Sequence, residues 1–254
     1  MVEQNLWLEE YEQKLPAFMC PHCNIGRLAL TKKGISRKTP HYLHQQYREA
    51  ELHDMGAGIF HAFMVCQMDN CGEIVSVTGD FRVQYDYVGT DYNNDPIVDE
   101  DLKLTVRAIV PAPPIISFSE GLAEHPAGHL LKSFELFWAD LGSCANRVRI
   151  VVETLLDQFS VPRQRTGKGN KLVDMNLMQR IDELDKIKPG HADALQALRE
   201  VGNVGSHEGV VALSDLLDCY ELLEATLEEL LDDKRAKLAA KAASIRARKG
   251  RPST

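Results

Sequence analysis

The 254-residue chain contains no run of 18 apolar residues, so no segment suits a membrane-spanning helix. Basic residues are missing from its start. Met1 to Glu12 holds four Glu and no Lys or Arg, unlike a secretory signal or a transit peptide. The expectation is a soluble, cytoplasmic protein with no membrane partner. Acidic residues are missing from its end: residues 234–254 carry eight of the 29 basic groups and no acid. That leaves 21 basic groups against 37 acidic ones, a charge of −16, in the other 233 residues. An acidic body with a basic tail argues against nucleic acid coating the whole surface, but it allows the tail to touch phosphate. Hydrophobic residues at 44% are enough for a real core, in one large domain or two small ones.

Without a secretion signal, the six cysteines point to metal binding or free thiols rather than a disulfide framework. Cys20 and Cys23 form C-P-H-C, and Cys66 and Cys71 form C-x4-C followed by Gly72. Thiolates bind zinc tightly, and four close its tetrahedral shell, leaving no open position for catalysis. Structural Zn2+ on Cys20, Cys23, Cys66 and Cys71 is therefore expected. The alternatives are inert buried thiols or a redox C-x-x-C, for which no βαβ context exists. The 42 residues between the pairs imply an insertion in the ribbon. It contains His41, His44, His53 and His61, any of which could replace a sulfur. Cys144 and Cys219 fall on apolar helix faces and read as core.

The first 15 residues suit a short helix or strand. Loose alternation from Gly72 to Val88 predicts short strands, Gly89 to Asp101 reads as an acidic loop, and Leu104 to Val110 as another strand. Pro111-Ala-Pro-Pro then marks a boundary. From Leu130 to Phe159 three- and four-residue apolar steps predict one long helix, stopped by Pro162. Further helices are expected at about 173–188 and 191–201, with Gly202 ending the second. A last one starts at Ser214 as N-cap, with Leu216, Leu217, Tyr220, Leu223, Leu227, Leu230 and Leu231 on one face.

Two glycines, an Asn and a Ser interrupt the helical pattern in Leu198-Arg-Glu-Val-Gly-Asn-Val-Gly-Ser-His207. Arg199, Asn203 and His207 could converge on a phosphate: Arg offers a fork of donors, Asn orients, and His titrates near neutrality. The plainer alternative is a Gly-rich turn between helices. Arg149 and Glu153 stand four apart, as in a helix-surface ion pair; a supporting role for Glu153 would be to hold Arg199.

Four features in order resemble the domain family of unknown function numbered 4145, a branch of the HEPN superfamily. They are the two cysteine pairs, the Pro-rich entry, Arg149-x3-Glu153 before Leu155-Leu156, and Leu198-Arg199-x2-Gly202-Asn203-x-Gly205-Ser206-His207. Together they span roughly residues 16 to 231. The resemblance implies a helical bundle that commonly dimerises. In many members Arg-x(4–6)-His motifs meet across a dimer interface and cleave RNA without a metal. On this chain Arg199 and His207 would be the catalytic pair and Asn203 their polar companion, with seven residues between Arg199 and His207.

Arg163, Arg165, Lys168 and Lys171 lie in a Gly-containing loop that could line a substrate groove or stay solvated. Lys168 belongs to no Walker motif. In the tail, Lys249-Gly-Arg251-Pro resembles the core of an AT-hook, although a generic polybasic end has the same composition. The expected architecture is α+β: a zinc-ribbon and β module (1–115), an all-α HEPN-like bundle (116–233) and a basic tail (234–254). The expected function is a metal-independent endoribonuclease, a defence or toxin effector by superfamily, acting as a homodimer on RNA. The alternative is a non-catalytic zinc-containing module that binds RNA or DNA, or an adaptor for a protein partner.

Overall fold

The computed structural model describes residues 2–53 and 55–249. It is a mixed α+β chain, an antiparallel sheet followed by helices. Two compact units emerge. One comprises residues 3–114 with 134–140; the other comprises 115–133 and the chain from 141 onward, with Val2.

The sheet unit orders five strands as β1-β5-β4-β3-β2, all antiparallel: β1 (Tyr11–Glu12), β2 (Leu28–Lys38), β3 (Met55–Cys66), β4 (Ile74–Thr90) and β5 (Pro96–Val110). Helix α1 (His41–Glu49) bridges β2 and β3, so the stretch between the cysteine pairs is a strand–helix–strand excursion. One sheet face is buried through Phe60, Ala62, Met64, Val75, Val77, Phe81, Leu104 and Val106. Arg107 is an extra residue in β5, between the pairs Gly79–Val106 and Thr78–Ala108. This bulge shifts the inward parity from Val106 to Ile109 and so hides the alternation from a simple sequence pattern.

Two expectations fail here for physical reasons. The acidic stretch from Gly89 to Asp101 is mostly strand. Asp91 closes the turn by accepting from the backbone N–H groups of Asn93 (2.8 Å) and Asp95 (2.9 Å), so the true loop is only 91–95. The long helix from Leu130 to Phe159 is two helices, α2 (Glu124–Leu136) and α3 (Leu141–Gln158). Its apolar spacing survives the break because Phe137 and Trp138 are themselves buried, against Trp7 and Phe18 in an aromatic cluster of the sheet unit.

In the helical unit, α3 is followed by a small hairpin, β6 (Gln164–Thr166) and β7 (Leu172–Asp174), where the sequence suggested a loop. Then come α4 (Leu177–Ile187), α5 (Ala192–His207), α6 (Leu213–Asp232) and α7 (Lys234–Ala247). Helix α6 buries Leu216, Leu217, Tyr220, Leu223, Leu227 and Leu230, and its N-cap is Ala212 rather than Ser214. The Tyr220 hydroxyl donates to Ser133 Oγ at 2.8 Å and lies 3.1 Å from Cys144 Sγ, which satisfies polar atoms in the core. Arg180, 6% exposed, donates to Asp157 Oδ1 (2.7 Å) and the Val161 carbonyl (3.2 Å), tying α4 to the end of α3.

Helix α5 does not stop at Gly202. It runs through to His207, and its glycines serve close packing on α3. A Cβ at Gly202 would sit 2.5 Å from Arg149 Cβ, and one at Gly205 would sit 2.5 Å from the Gly142 carbonyl oxygen. Glycine in a helix costs about 0.5–1 kcal/mol against alanine. Here the missing side chain lets two backbones approach, and the helix continues because that packing outweighs the propensity loss.

Candidate metal centre and a cationic cleft

The C-P-H-C segment turns tightly, with Asn24 in the left-handed region (φ 53°), Asn24 N donating to the Cys20 carbonyl (3.0 Å) and Cys20 N to the Gly26 carbonyl (2.8 Å). The second pair occupies the β3–β4 connection. Cys66 N donates to the Glu73 carbonyl (2.9 Å), Cys71 N to the Met68 carbonyl (3.0 Å), and Gly72 takes φ 62°. The two turns bring the four sulfurs together: Cys20 to Cys71 is 3.7 Å and Cys23 to Cys66 is 3.8 Å, all four lying within 4.8 Å of one another. These separations exclude disulfides, whose S–S length is about 2.05 Å. They match the edges of a tetrahedron with metal–sulfur bonds of about 2.3 Å, which are about 3.8 Å long. The four cysteines could therefore hold one metal ion.

Of the four, Cys23 has surroundings that favour a thiolate. Backbone N–H groups of Gly26 and Ile25 hold the Cys23 thiol down at about 6, whereas burial pushes Cys20 up to about 12. The Gly26 N–H donates to Cys23 Sγ at 3.2 Å. A Cβ on Gly26 would fall 2.4 Å from Cys66 Sγ, so this backbone can pass the cluster only as glycine. Among the described residues, the candidate metal-ligand group contains none of the four histidines of the insertion. His41 and His44 belong to α1, His53 lies in the turn after it, and His61 in β3 pairs with Ser76 Oγ at 3.2 Å. His22, inside the first turn, is the imidazole that comes near, with Nδ1 3.7 Å from Cys71 Sγ.

In the helical unit, Arg199 and Asn203 of α5, Arg149 of α3 and the first turn of α4 (Asn176, Leu177, Met178) line one small cleft of about 180 Å³. Arg199 donates to Gln196 Oε1 (2.8 Å) and Glu200 Oε1 (3.0 Å). Glu153 pairs with Arg149 at 2.9 Å, the helix-surface pair, and Arg149 Nε is buried with no hydrogen-bond partner among the described residues. His207 is exposed at the end of α5. Eight residues at 1.5 Å each set it about 12 Å along the helix from Arg199, so one chain does not bring the pair together.

Of the basic hairpin, Arg163 is engaged by Asp157 through two hydrogen bonds (3.0 and 2.6 Å), while Arg165 and Lys168 are exposed. Lys249 follows α7, whose residues are all exposed; Arg251 lies outside the described residues.

One cluster escaped the sequence reading. Glu124, His125, Gly128, His129 and Lys132 of α2 and Arg147 of α3 line a second, larger cleft of about 750 Å³. The legible signal was His-x3-His-x2-Lys, which places all three on one side of a helix; only the Arg147 contact depends on tertiary structure. Arg147 Nη1 lies 3.0 Å from His129 Nδ1, and the two imidazole centroids are 5.0 Å apart.

Among the described residues no helix is long and apolar enough to cross a membrane. No curated protein and no solved structure matches the chain. The family resemblance, expected from about residue 16, divides in two. Residues 9–102, with all four clustered cysteines, match a domain of unknown function (DUF8608), and residues 132–248, with Arg149 through His207, match the domain of unknown function DUF4145.

Proposed function

We propose that the helical unit is a HEPN-type bundle that cleaves RNA without a metal ion, and that the sheet unit carries a zinc ribbon of structural role. The observation that carries the first reading is the cleft shared by Arg149, Arg199, Asn203 and the start of α4. Two guanidinium groups, an amide and a helix N-terminus suit the oxygens of one phosphodiester. Because α5 holds His207 two turns from Arg199, the reading requires a homodimer in which the cleft of one copy faces His207 of the other.

In such a site His207 takes the proton of a ribose 2′-hydroxyl as that oxygen attacks the adjacent phosphorus. The bond to the 5′-oxygen breaks, and that oxygen leaves with a proton from the imidazolium or from water. The products are a 2′,3′-cyclic phosphate and a 5′-hydroxyl. Arg199 stabilises the charge that develops on the non-bridging oxygens, and Asn203 orients them. General base action by His207 contributes on the order of 10²–10⁴-fold. DNA lacks the attacking hydroxyl and is spared. Zinc on Cys20, Cys23, Cys66 and Cys71 would fix the sheet unit's two turns, with no free position for substrate.

A second reading, a non-catalytic nucleic-acid-binding or adaptor module, is favoured by the exposure of His207 and by α7, a fully exposed basic helix. Incubation with single-stranded and structured RNAs in EDTA separates the two. Cleavage that disappears in His207→Ala and in Arg199→Ala, with RNA binding retained in His207→Ala, is the expected result. RNA bound but intact, with affinity lost on removal of the residues after Asp233, supports the second reading instead.

A further inference from the structure

We propose that the cleft between α2 and α3 around His129 is a phosphoryl-binding site, taking a nucleotide or the backbone of an RNA, independent of the Arg199 cleft. It is an open cleft of about 750 Å³ on the surface of the two helices. The Arg147–His129 contact defines its chemistry. A guanidinium can only donate, so His129 Nδ1 must accept and the ring is neutral, with its proton on Nε2. The cleft therefore offers donors from Arg147 and His129, with His125 beside the His129 ring. Glu124 is the acidic group lining it.

The electrostatics agree with an anionic occupant. Burial, then the positive neighbours Arg147 and His125, hold His129 below the ordinary imidazole value, against an opposing pull from Glu153. A phosphate placed among these groups reverses the repulsion and raises His129. His-x3-His also occurs in metal sites. Here Arg147 occupies Nδ1 and brings its own positive charge beside the ring, which disfavours a cation.

Gly128 supplies a clean test. It lines the cleft within α2, and a Cβ added there meets no atom of the described residues within 4 Å, so alanine fits and a longer side chain starts from open space. Calorimetry at low salt would compare inorganic phosphate, adenosine monophosphate, adenosine and a short RNA on the full chain, Gly128→Ala and Gly128→Glu. The phosphorylated probes should bind and adenosine should not. Gly128→Glu should weaken them tenfold or more, Gly128→Ala less than twofold. NMR of His129 should show its titration moving up when phosphate is added. Binding of RNA but not of the mononucleotide, still sensitive to Gly128→Glu, identifies the occupant as backbone phosphate. No binding of any phosphorylated probe, or equal binding by Gly128→Glu and the parent chain, overturns the proposal. None of these readouts requires that RNA be cleaved.

Discussion

Cys23 and Cys66 are 43 positions apart in the chain, yet their sulfurs lie 3.8 Å from one another; Arg199 and His207 are eight positions apart and stay about two helical turns from each other. The contrast shows what kind of motif a sequence displays openly. A cysteine knuckle carries its own turn, through Asn24 and Gly72, and a sheet edge delivers both knuckles to one point. An arginine–histidine segment takes its geometry from whatever backbone it adopts. Once Gly202 and Gly205 are pressed against α3, that backbone is a straight helix.

The largest effect should come from breaking the knuckle. Cys20→Ser with Cys23→Ser should remove about one bound metal per chain and destabilise the sheet unit by on the order of 5 kcal/mol or more, seen by metal analysis and thermal unfolding. A metal-free parent chain with unchanged stability would count against the site. In the helical unit, Asp157→Asn strands the buried Arg180 and should cost about 3 kcal/mol. The hydrogen bond from Arg163, joined by that from Arg180, holds the Asp157 carboxyl below the usual carboxylate range, against its burial. Its folded value is thus lower than its unfolded one. The contribution is complete above about pH 4 and fades as pH falls through the folded value, so parent and variant should converge in acid.

Gly205→Val tests the helix-packing half of the comparison. Its Cβ would meet the Gly142 carbonyl oxygen at 2.5 Å, and denaturant titration should show a loss of about 2 kcal/mol. A variant as stable as the parent would mean that α5 and α3 are not in close contact. The smallest effect belongs to Glu153→Gln. Its half-exposed pair with Arg149 should be worth about 0.3–0.5 kcal/mol in a double-mutant cycle.

What was legible follows the same division. The cysteine cluster, the end of β5 before Pro111 and the buried face of α6 could be read because each depends on local chemistry or on one regular period. Strands β2 and β3 could not. The β2–β3 register shifts between Leu30 and Ile35, and β3 opens with Gly56 and Gly58, so neither shows a steady alternation. The break after Leu136 was invisible because Phe137 and Trp138 keep the helical spacing while serving the aromatic cluster. Gly202 was read as a stop because a sequence shows the conformational cost of glycine and not the neighbour that compensates for it. The sequence groups Arg199, Asn203 and His207 as residues that could converge on a phosphate; Arg199 and Asn203 line one cleft without His207, and Arg149 joins them only through the α3–α5 packing.

On the proposed reading, an RNA-cleaving site is shared between two copies, and complementation between inactive chains probes it. Arg199→Ala and His207→Ala chains, each inactive, would be mixed under conditions that allow exchange and assayed on RNA in EDTA. A mixed dimer holds one site with both residues intact, so mixing should restore up to about a quarter of parent activity. Activity that stays absent while exchange is demonstrated by mass would contradict it.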